Sequence, residues 1–152
     1  MINFQLLKKS SKTNARLGVL KTPHGEVETP CFVPVATQAT IKTLSSEEIV
    51  LSGTQIVISN TFHLHLKPGE KLVKAHGGIH KFANIGVPVM TDSGGFQVLS
   101  LGFGRDHEVS KVLKQKPVEM IAKGAQPKLL KITDDGVEFT SYVDGSKIFM
   151  GP

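Results

Sequence analysis

Seven consecutive residues combine a carboxylate, two hydroxyls, two glycines, an aromatic ring and an amide. They are Thr91, Asp92, Ser93, Gly94, Gly95, Phe96 and Gln97. The apolar residues 87–90 precede them and predict a short buried strand that leads into Asp92. Enzymes with parallel sheets place catalytic groups at the carboxyl ends of strands, and a glycine pair lets a ligand approach the backbone closely. The residues alone leave a second interpretation open, in which Asp92 only caps backbone amides in a tight Gly-Gly turn.

The elements before this stretch alternate between strands and helices. A capping box of Ser45 and Glu48 predicts one helix start, and Pro68 suits the first turn of a second helix. The predicted elements are a hairpin over 16–30, a strand over 31–35, a helix after 45, a strand over 55–59, a helix over 69–76 and the strand over 87–90. This order predicts a parallel sheet joined by right-handed crossovers.

The later part of the chain has a different character. Residues 102–128 contain many lysines, two prolines and little periodicity, which predicts a loop insertion with a short helix around 112–122. Two D-G turns, at 135–136 and 144–145, separate three strand-like runs. They predict a three-stranded antiparallel meander over residues 129–150.

The composition favours a globular protein of the cytoplasm. Hydrophobic residues make up 39% and charged residues 20% of the chain, which is typical of globular domains. No apolar run approaches the roughly 20 residues that span a bilayer, and the N-terminal charges stand in the wrong order for a secretion signal. A single cysteine, Cys31, excludes an internal disulfide and is typical of a reducing compartment. We therefore expect a cytoplasmic protein without a membrane partner.

The net charge of +5 is concentrated in two segments. Residues 1–21 contain five basic residues and no acidic one, and residues 105–131 contain seven basic and three acidic residues. A polyanion such as RNA would be attracted to these segments. Lysines that only solvate loops would produce the same pattern, so charge alone does not assign a partner.

The predicted elements form an incomplete sheet. Three parallel strands and two crossover helices are fewer than a closed barrel of parallel strands requires. Gly151 and Pro152 have a pattern that is typical of the start of a helix, and no helix follows. We therefore expect residues 1–152 to be a single partial domain, the N-terminal part of a longer protein whose C-terminal half is absent here.

Five segments follow one another at characteristic spacing. They are ETPCFVPVATQATIK at 28–42, SNTFHLHLKPG at 59–69, GGIHKF at 77–82, TDSGGFQVLSL at 91–101 and FTSYVDGSK at 139–147. One such motif would be a weak signal, whereas the ordered set covers most of the chain outside 102–128. In order and spacing it resembles the N-terminal portion of the tRNA-guanine transglycosylase (queuine tRNA-ribosyltransferase) family.

This resemblance implies a fold and an activity. The fold would be the N-terminal part of a (β/α)8 TIM barrel with added antiparallel β-hairpins. The enzyme would replace guanine at the wobble position of certain tRNAs with a 7-deazaguanine, preQ1 in bacteria or queuine in eukaryotes, through a covalent aspartate–ribose link. Its partners would be tRNA and the free base, and the complete enzyme would be a homodimer.

The same resemblance places part of the machinery beyond residue 152. The nucleophilic aspartate would lie there, together with a structural zinc site of three cysteines and one histidine. We therefore expect no cofactor within this chain and no base exchange by residues 1–152 alone.

The resemblance also implies roles for individual residues. Asp92 corresponds to the family's general acid/base, and Phe96 to an aromatic ring that stacks on the base. Asn60 and Gln97 correspond to polar neighbours that orient Asp92 and contact the ribose, and Val35 to a residue that lines the pocket below the base. The expected substrate-binding residues are Val35, Asn60, Asp92, Ser93, Gly94, Gly95, Phe96 and Gln97.

Two other functions stay open from the residues themselves. If extended, His63-Leu64-His65 would place two imidazoles on one face, as in metal-dependent hydrolases built on barrels, although no third ligand is evident. A non-catalytic RNA-binding module would explain the basic segments without a role for Asp92. No aromatic-rich strand or Gly-X-X-Gly clamp supports that module, and we expect no metal at His63 or His65.

Overall fold

The structure, a computed structural model, describes residues 1–98, 100 and 130–151. It is a mixed α/β arrangement of short helices and several sheets. The chain divides into two compact units, Met1–Ser93 and Gly94–Pro152. The predicted loop insertion over 102–128, with its short helix around 112–122, lies outside the described residues. The expectation of a single partial domain stays a prediction.

The first unit begins with an antiparallel sheet in the order β1–β2–β3. Its strands are β1 (Asn3–Lys9), β2 (Arg16–Thr22) and β3 (Gly25–Thr29). β2 and β3 are the predicted hairpin, and Gly25 in its turn has φ +137°, a conformation that favours glycine. The sequence did not predict β1, because the adjacent Leu6 and Leu7 interrupt the alternation of apolar and polar residues. The structure has a register irregularity at this point, between Leu6 and Lys8.

A parallel strand pair follows the antiparallel sheet. It consists of β4 (Val57–Asn60) and β5 (Val89–Asp92). The N–H of Ile58 donates to the carbonyl of Pro34, and its own carbonyl accepts from Ala36, whereas the N–H of Val57 donates to the carbonyl of Pro88. Residues 34–36 therefore lie on one side of β4 and β5 lies on the other, as a parallel sheet requires.

The predicted strand over 31–35 is wrong except at its end. Val35 forms an isolated parallel bridge with Ile58, and the residues before it have no regular structure. Pro30 and Pro34 have no N–H to donate, so this segment cannot complete a strand ladder.

Four short helices of the first unit connect these strands. They are α1 (Ser46–Leu51), α2 (Thr61–Leu66), α3 (Glu70–Ala75) and α4 (Ile79–Ala83). α1 and α3 lie where the capping box and Pro68 predict helices. The sequence did not predict α2 and α4, which are only one to two turns long. No helix in the described part of the chain is both long and apolar enough to cross a bilayer.

A small apolar core positions the parallel strands. The buried residues that form it are Ala36, Ile49, Val57, Ile85 and Val87. Ile49 comes from α1 and Val57 from β4, so this core packs the helix against the strand pair. Burial of each large aliphatic side chain contributes about 1.5–3 kcal/mol. The core therefore holds the strands whose carboxyl ends carry Asn60 and Asp92.

The second unit contains an antiparallel meander in the order β6–β7–β8. Its strands are β6 (Leu130–Thr133), β7 (Gly136–Thr140) and β8 (Lys147–Met150). The two D-G turns lie between them, as the sequence predicts. Leu130 and Phe139 face each other in the register and are both buried.

The capping box of α1 makes an acid-dependent contribution to stability. Ser45 Oγ accepts from the N–H of Glu48 at 3.2 Å, and the N–H of Ser45 donates to the Glu48 carboxylate at 2.7 Å. Hydrogen bonds to the carboxylate from the backbone N–H of Ser45, and secondly from the Ser45 side chain, hold the pKa of Glu48 below its ordinary value. With a lowered pKa, the stabilisation is present above the unfolded-state pKa and is lost as the pH falls through the folded-state pKa.

We expect Glu48→Gln to lower the melting temperature near neutral pH and to match the unchanged chain in acid. Glutamine still completes a capping box, so the difference comes from the charge. Thermal melts followed by circular dichroism between pH 7 and pH 3 measure this difference in melting temperature. Glu47→Gln, in the same turn but outside the box, is the control. Equal pH profiles for the two variants would contradict this role of Glu48.

Candidate active site

Asn60 and Asp92 are the last residues of neighbouring parallel strands. β4 ends at Asn60 and β5 at Asp92, and the two residues are partners in the strand register. Because the carboxyl ends of parallel strands lie at one edge of a sheet, their side chains meet there. Asn60 is 7% exposed and Asp92 is half-buried. The structure therefore brings these two predicted residues together, at the strand end where Asp92 was expected.

Both oxygens of the Asp92 carboxylate accept hydrogen bonds. Asn60 Nδ2 donates to Oδ2 at 2.9 Å, and the backbone N–H of Thr61 donates to Oδ1 at 3.3 Å. Two donors fix the orientation of the carboxylate, while each oxygen keeps a lone pair for another partner. An oriented carboxylate of this kind can take a proton from a ligand or return one.

These bonds bear on one of the two interpretations of Asp92 that the sequence leaves open, the cap of the Gly-Gly turn. Its partners lie across the sheet, at the end of β4 and the start of α2, and not among the amides of the Gly-Gly turn that follows it. The interpretation of Asp92 as a cap for that turn is therefore wrong. The carboxylate is positioned by another part of the chain.

Asn60 connects the carboxylate to the rest of the first unit. Its Oδ1 accepts from the N–H of His63 at 3.1 Å, which makes it the N-cap of α2, and its N–H donates to the carbonyl of Thr37 at 3.1 Å. The amide oxygen faces a donor and the amide nitrogen faces a carboxylate, so both ends of the side-chain amide have a complementary partner. The position of Asn60 is thus set independently of Asp92, and Asn60 can orient it.

The glycine pair begins a helical turn in the second unit. Gly94 has φ +69°, in the left-handed region that favours glycine, and residues 95–98 are helical. The N–H of Val98 donates to the carbonyl of Gly94 at 3.2 Å. Glycine is therefore the residue best suited to this position at the start of the helical turn.

The remaining residues of the predicted strip are mostly accessible. Phe96 is 77% exposed, Ser93 and Gly95 are exposed, and Gln97 is half-buried. An exposed phenylalanine ring is available for stacking, which favours a binding role over core packing. Ser93 is the last residue of the first unit, and residues 94–97 belong to the second.

Val35 lies beside β4, on the side opposite to β5. Its bridge to Ile58 places it two residues before Asn60 in the parallel register, and 64% of Val35 is exposed. An accessible apolar residue near the carboxyl ends of two strands is suited to line a pocket.

The alternative of a metal-dependent hydrolase required His63 and His65 in an extended segment. That interpretation is wrong. His63 and His65 both lie in α2, where residues two apart point to different faces. His65 Nδ1 is 2.9 Å from Glu70 Oε2, an ion pair when the histidine is protonated. Among the described residues, no three His, Cys, Asp or Glu side chains are grouped to hold a metal ion.

Two functional groups were missed from the sequence. They are the N–H of Thr61, which binds Asp92, and the carbonyl of Thr37, which anchors Asn60. The sequence does contain a signal for the N–H of Thr61, because an asparagine at the end of a buried strand, here Asn60, is a preferred helix N-cap. That signal predicts α2, and with it a free N–H at Thr61.

The chain matches the family model described as queuine tRNA-ribosyltransferase over residues 10–152. A queuine tRNA-ribosyltransferase from Thermoanaerobacter pseudethanolicus is 47% identical over 151 residues, which are 99% of this chain and 34% of that protein. A queuine tRNA-ribosyltransferase from Desulforamulus reducens is 48% identical over 151 residues, again 99% of this chain and 34% of that protein. One from Prochlorococcus marinus is 45% identical over 152 residues, which are 100% of this chain and 34% of the relative.

The chain thus spans about a third of the length of the curated relatives that it matches. The match to the family model includes both strands of the candidate site and the strip from Asp92 to Gln97. The chain belongs to the queuine tRNA-ribosyltransferase family.

Proposed function

We propose that this chain is the N-terminal part of an enzyme that exchanges guanine at the wobble position of tRNA for a 7-deazaguanine, preQ1 or queuine. The observation that carries the proposal is the Asp92 carboxylate, oriented by Asn60 and Thr61 at the carboxyl ends of two parallel strands. Membership of the queuine tRNA-ribosyltransferase family supports it.

The reaction requires proton transfers that a carboxylate can perform. The bond between the ribose carbon and the guanine nitrogen breaks, and the leaving guanine takes up one proton. The incoming base loses one proton as its new bond to the ribose forms, so the exchange is neutral in protons. Asp92, held by two donors with lone pairs left over, would deliver the first proton and accept the second. A second carboxylate, expected beyond residue 152, would hold the ribose covalently.

The strip after Asp92 would bind the base. The flipped base must leave its stack in the RNA, and the exposed ring of Phe96 would replace part of that stacking. Gly95, which is exposed, would let the base approach the backbone, and the buried Gly94 would provide the left-handed conformation before it, with Ser93 and Gln97 as polar contacts. Val35 would line the pocket below the base, and Asn60 would orient Asp92 and contact the ribose.

The fold, the assembly and the location are parts of the same proposal. The two paired strands and the segment at Val35 would be the first three strands of a (β/α)8 barrel. The complete enzyme would be a homodimer in the cytoplasm, where its tRNA substrate is found. A structural zinc ion would bind in the remaining two thirds, where the family resemblance places three cysteines and one histidine.

A chimera tests the proposal directly. It joins this chain to the remaining two thirds of the Desulforamulus reducens relative, and exchange of labelled guanine into tRNA is measured. We expect the chimera to exchange guanine and the 152-residue chain alone to be inactive. A folded chimera without exchange would contradict the proposed function, and turnover by the chain alone would contradict the need for a second carboxylate.

We expect Phe96→Ala to weaken binding of the free base by about 1–3 kcal/mol, the contribution of one aromatic stack. Titration of the chimera with the 7-deazaguanine base measures the change. Phe32→Ala is the matched control, since Phe32 is 83% exposed and lies outside the strip. Unchanged affinity in the Phe96 variant, or equal losses in both variants, would show that Phe96 does not stack on the base.

A further inference from the structure

A cleft with cationic walls lies at the end of the β1–β2 hairpin. Its volume is about 490 Å³, and the residues that line it include Lys8, Lys9, Lys12, Arg16, Leu17 and Pro30. This volume is within the range of small-ligand sites. The lining combines cationic side chains with apolar surface, which matches the combined phosphate and sugar surface of a nucleotide. We call this feature the basic cleft.

The positive charge of the basic cleft is not neutralised by acidic residues nearby in the chain. No acidic residue precedes Glu26, and Glu26 pairs with Lys21 at 3.2 Å, outside the cleft. Lys8, Lys9, Lys12 and Arg16 are exposed, and no ion pair involves them among the described residues. Four cations without counterions attract a polyanion and release its condensed ions on binding.

Hydrogen bonds order the loop that carries Lys12. Ser10 Oγ accepts from the N–H groups of Lys12 and Thr13, both at 3.1 Å, and the N–H of Ser10 donates to the carbonyl of Ala15 at 2.9 Å. The N–H of Ala15 donates to Thr13 Oγ1 at 3.2 Å. A loop with this many internal bonds loses little entropy when a ligand binds to it.

We propose that the basic cleft binds the sugar-phosphate backbone of the tRNA. The inference deepens the proposed function and rests on it for the identity of the RNA. An RNA backbone presents regularly spaced phosphates to the cations and ribose surface to Leu17 and Pro30. The cleft lies outside the candidate active site, so it would position the tRNA without taking part in the chemistry.

The test compares two variants: one loses three positive charges from the basic cleft, and the other loses three positive charges from elsewhere. The cleft variant carries Lys8→Gln, Lys9→Gln and Lys12→Gln, and the control carries Lys42→Gln, Lys71→Gln and Lys74→Gln, at exposed positions outside the cleft. Fluorescence anisotropy measures tRNA binding by the chimera at several salt concentrations. Exchange kinetics are measured in parallel, and melts confirm equal folding.

We expect the cleft variant to bind tRNA roughly tenfold or more weakly than the control. The slope of log affinity against log salt should fall by about 3, one for each lost phosphate contact. KM for tRNA should rise, with kcat and KM for the base unchanged. The anisotropy measurement does not depend on turnover. The tRNA affinities of the two variants can therefore be compared even if the chimera does not exchange guanine.

Three outcomes would overturn the proposal. Equal losses in both variants would assign binding to overall charge, and an unchanged salt slope would exclude phosphate contacts. Competition by poly-glutamate but not by RNA would assign the basic cleft to an acidic protein segment.

Discussion

Asp92→Asn in the chimera should reduce guanine exchange by roughly 10²–10⁴-fold or more, the usual contribution of a general acid/base. Asparagine has the size of aspartate and can still accept a hydrogen bond from Asn60 or Thr61, but it cannot transfer the proton. Asp92→Ala should abolish exchange as well. It would also leave the buried Asn60 amide without its acceptor, at a cost of about 1–3 kcal/mol in stability.

Labelled-guanine exchange and a thermal melt on the same samples separate the two effects. Asp135→Asn, at an exposed turn position, removes the same charge far along the chain and serves as the control. We expect the Asp92→Asn protein to remain folded, with a smaller loss of stability than Asp92→Ala because one of the two acceptors is kept, and to lose exchange by the factor given above. Near-normal turnover of this variant, with the fold intact, would exclude a catalytic role for Asp92.

The sequence predicts those parts of the fold whose signals are local. The D-G turns locate the meander, and the capping box of Ser45 and Glu48 locates α1, because these bonds form within a few residues. The parallel pairing of β4 and β5 was also predictable, from buried strands that alternate with helices. By contrast, a predicted strand fails at 31–35, where Pro34 within the segment and Pro30 just before it lack the N–H donors that a ladder needs.

The candidate site was predictable in its residues but not in its contacts. The types and spacing around Asp92 suggest a carboxylate at a strand end, and the family resemblance nominates Asn60. Two contacts were not predicted. The carbonyl of Thr37 leaves no trace in side-chain type, and the N–H of Thr61 follows only once Asn60 is recognised as the N-cap of α2. The short helix α2 had to be known first, since its start places the N–H of Thr61 against Asp92.

Asn60 has two roles that substitution can separate. It caps α2 through Oδ1 and orients Asp92 through Nδ2. Asn60→Ala removes both, so we expect a loss of about 1 kcal/mol in stability from the cap and a roughly 10²-fold loss of exchange from misplacement of the carboxylate. Ser45→Ala, which removes a comparable cap from α1, should cost similar stability without the loss of exchange.

Asn60→Asp keeps the cap, because aspartate and asparagine are equally good N-cap residues. It places a second carboxylate against Asp92, and two adjacent carboxylates share a proton. The Nδ2 donor that orients Asp92 is therefore lost, while α2 remains capped. We expect Asn60→Asp to lose exchange at least as strongly as Asn60→Ala, roughly 10²-fold, although its cap is intact. Labelled-guanine exchange and a thermal melt on the same samples measure the two effects. If Asn60 serves only as a cap, the Asn60→Asp variant will exchange guanine at the rate of the unchanged chimera, and the orienting role will be wrong.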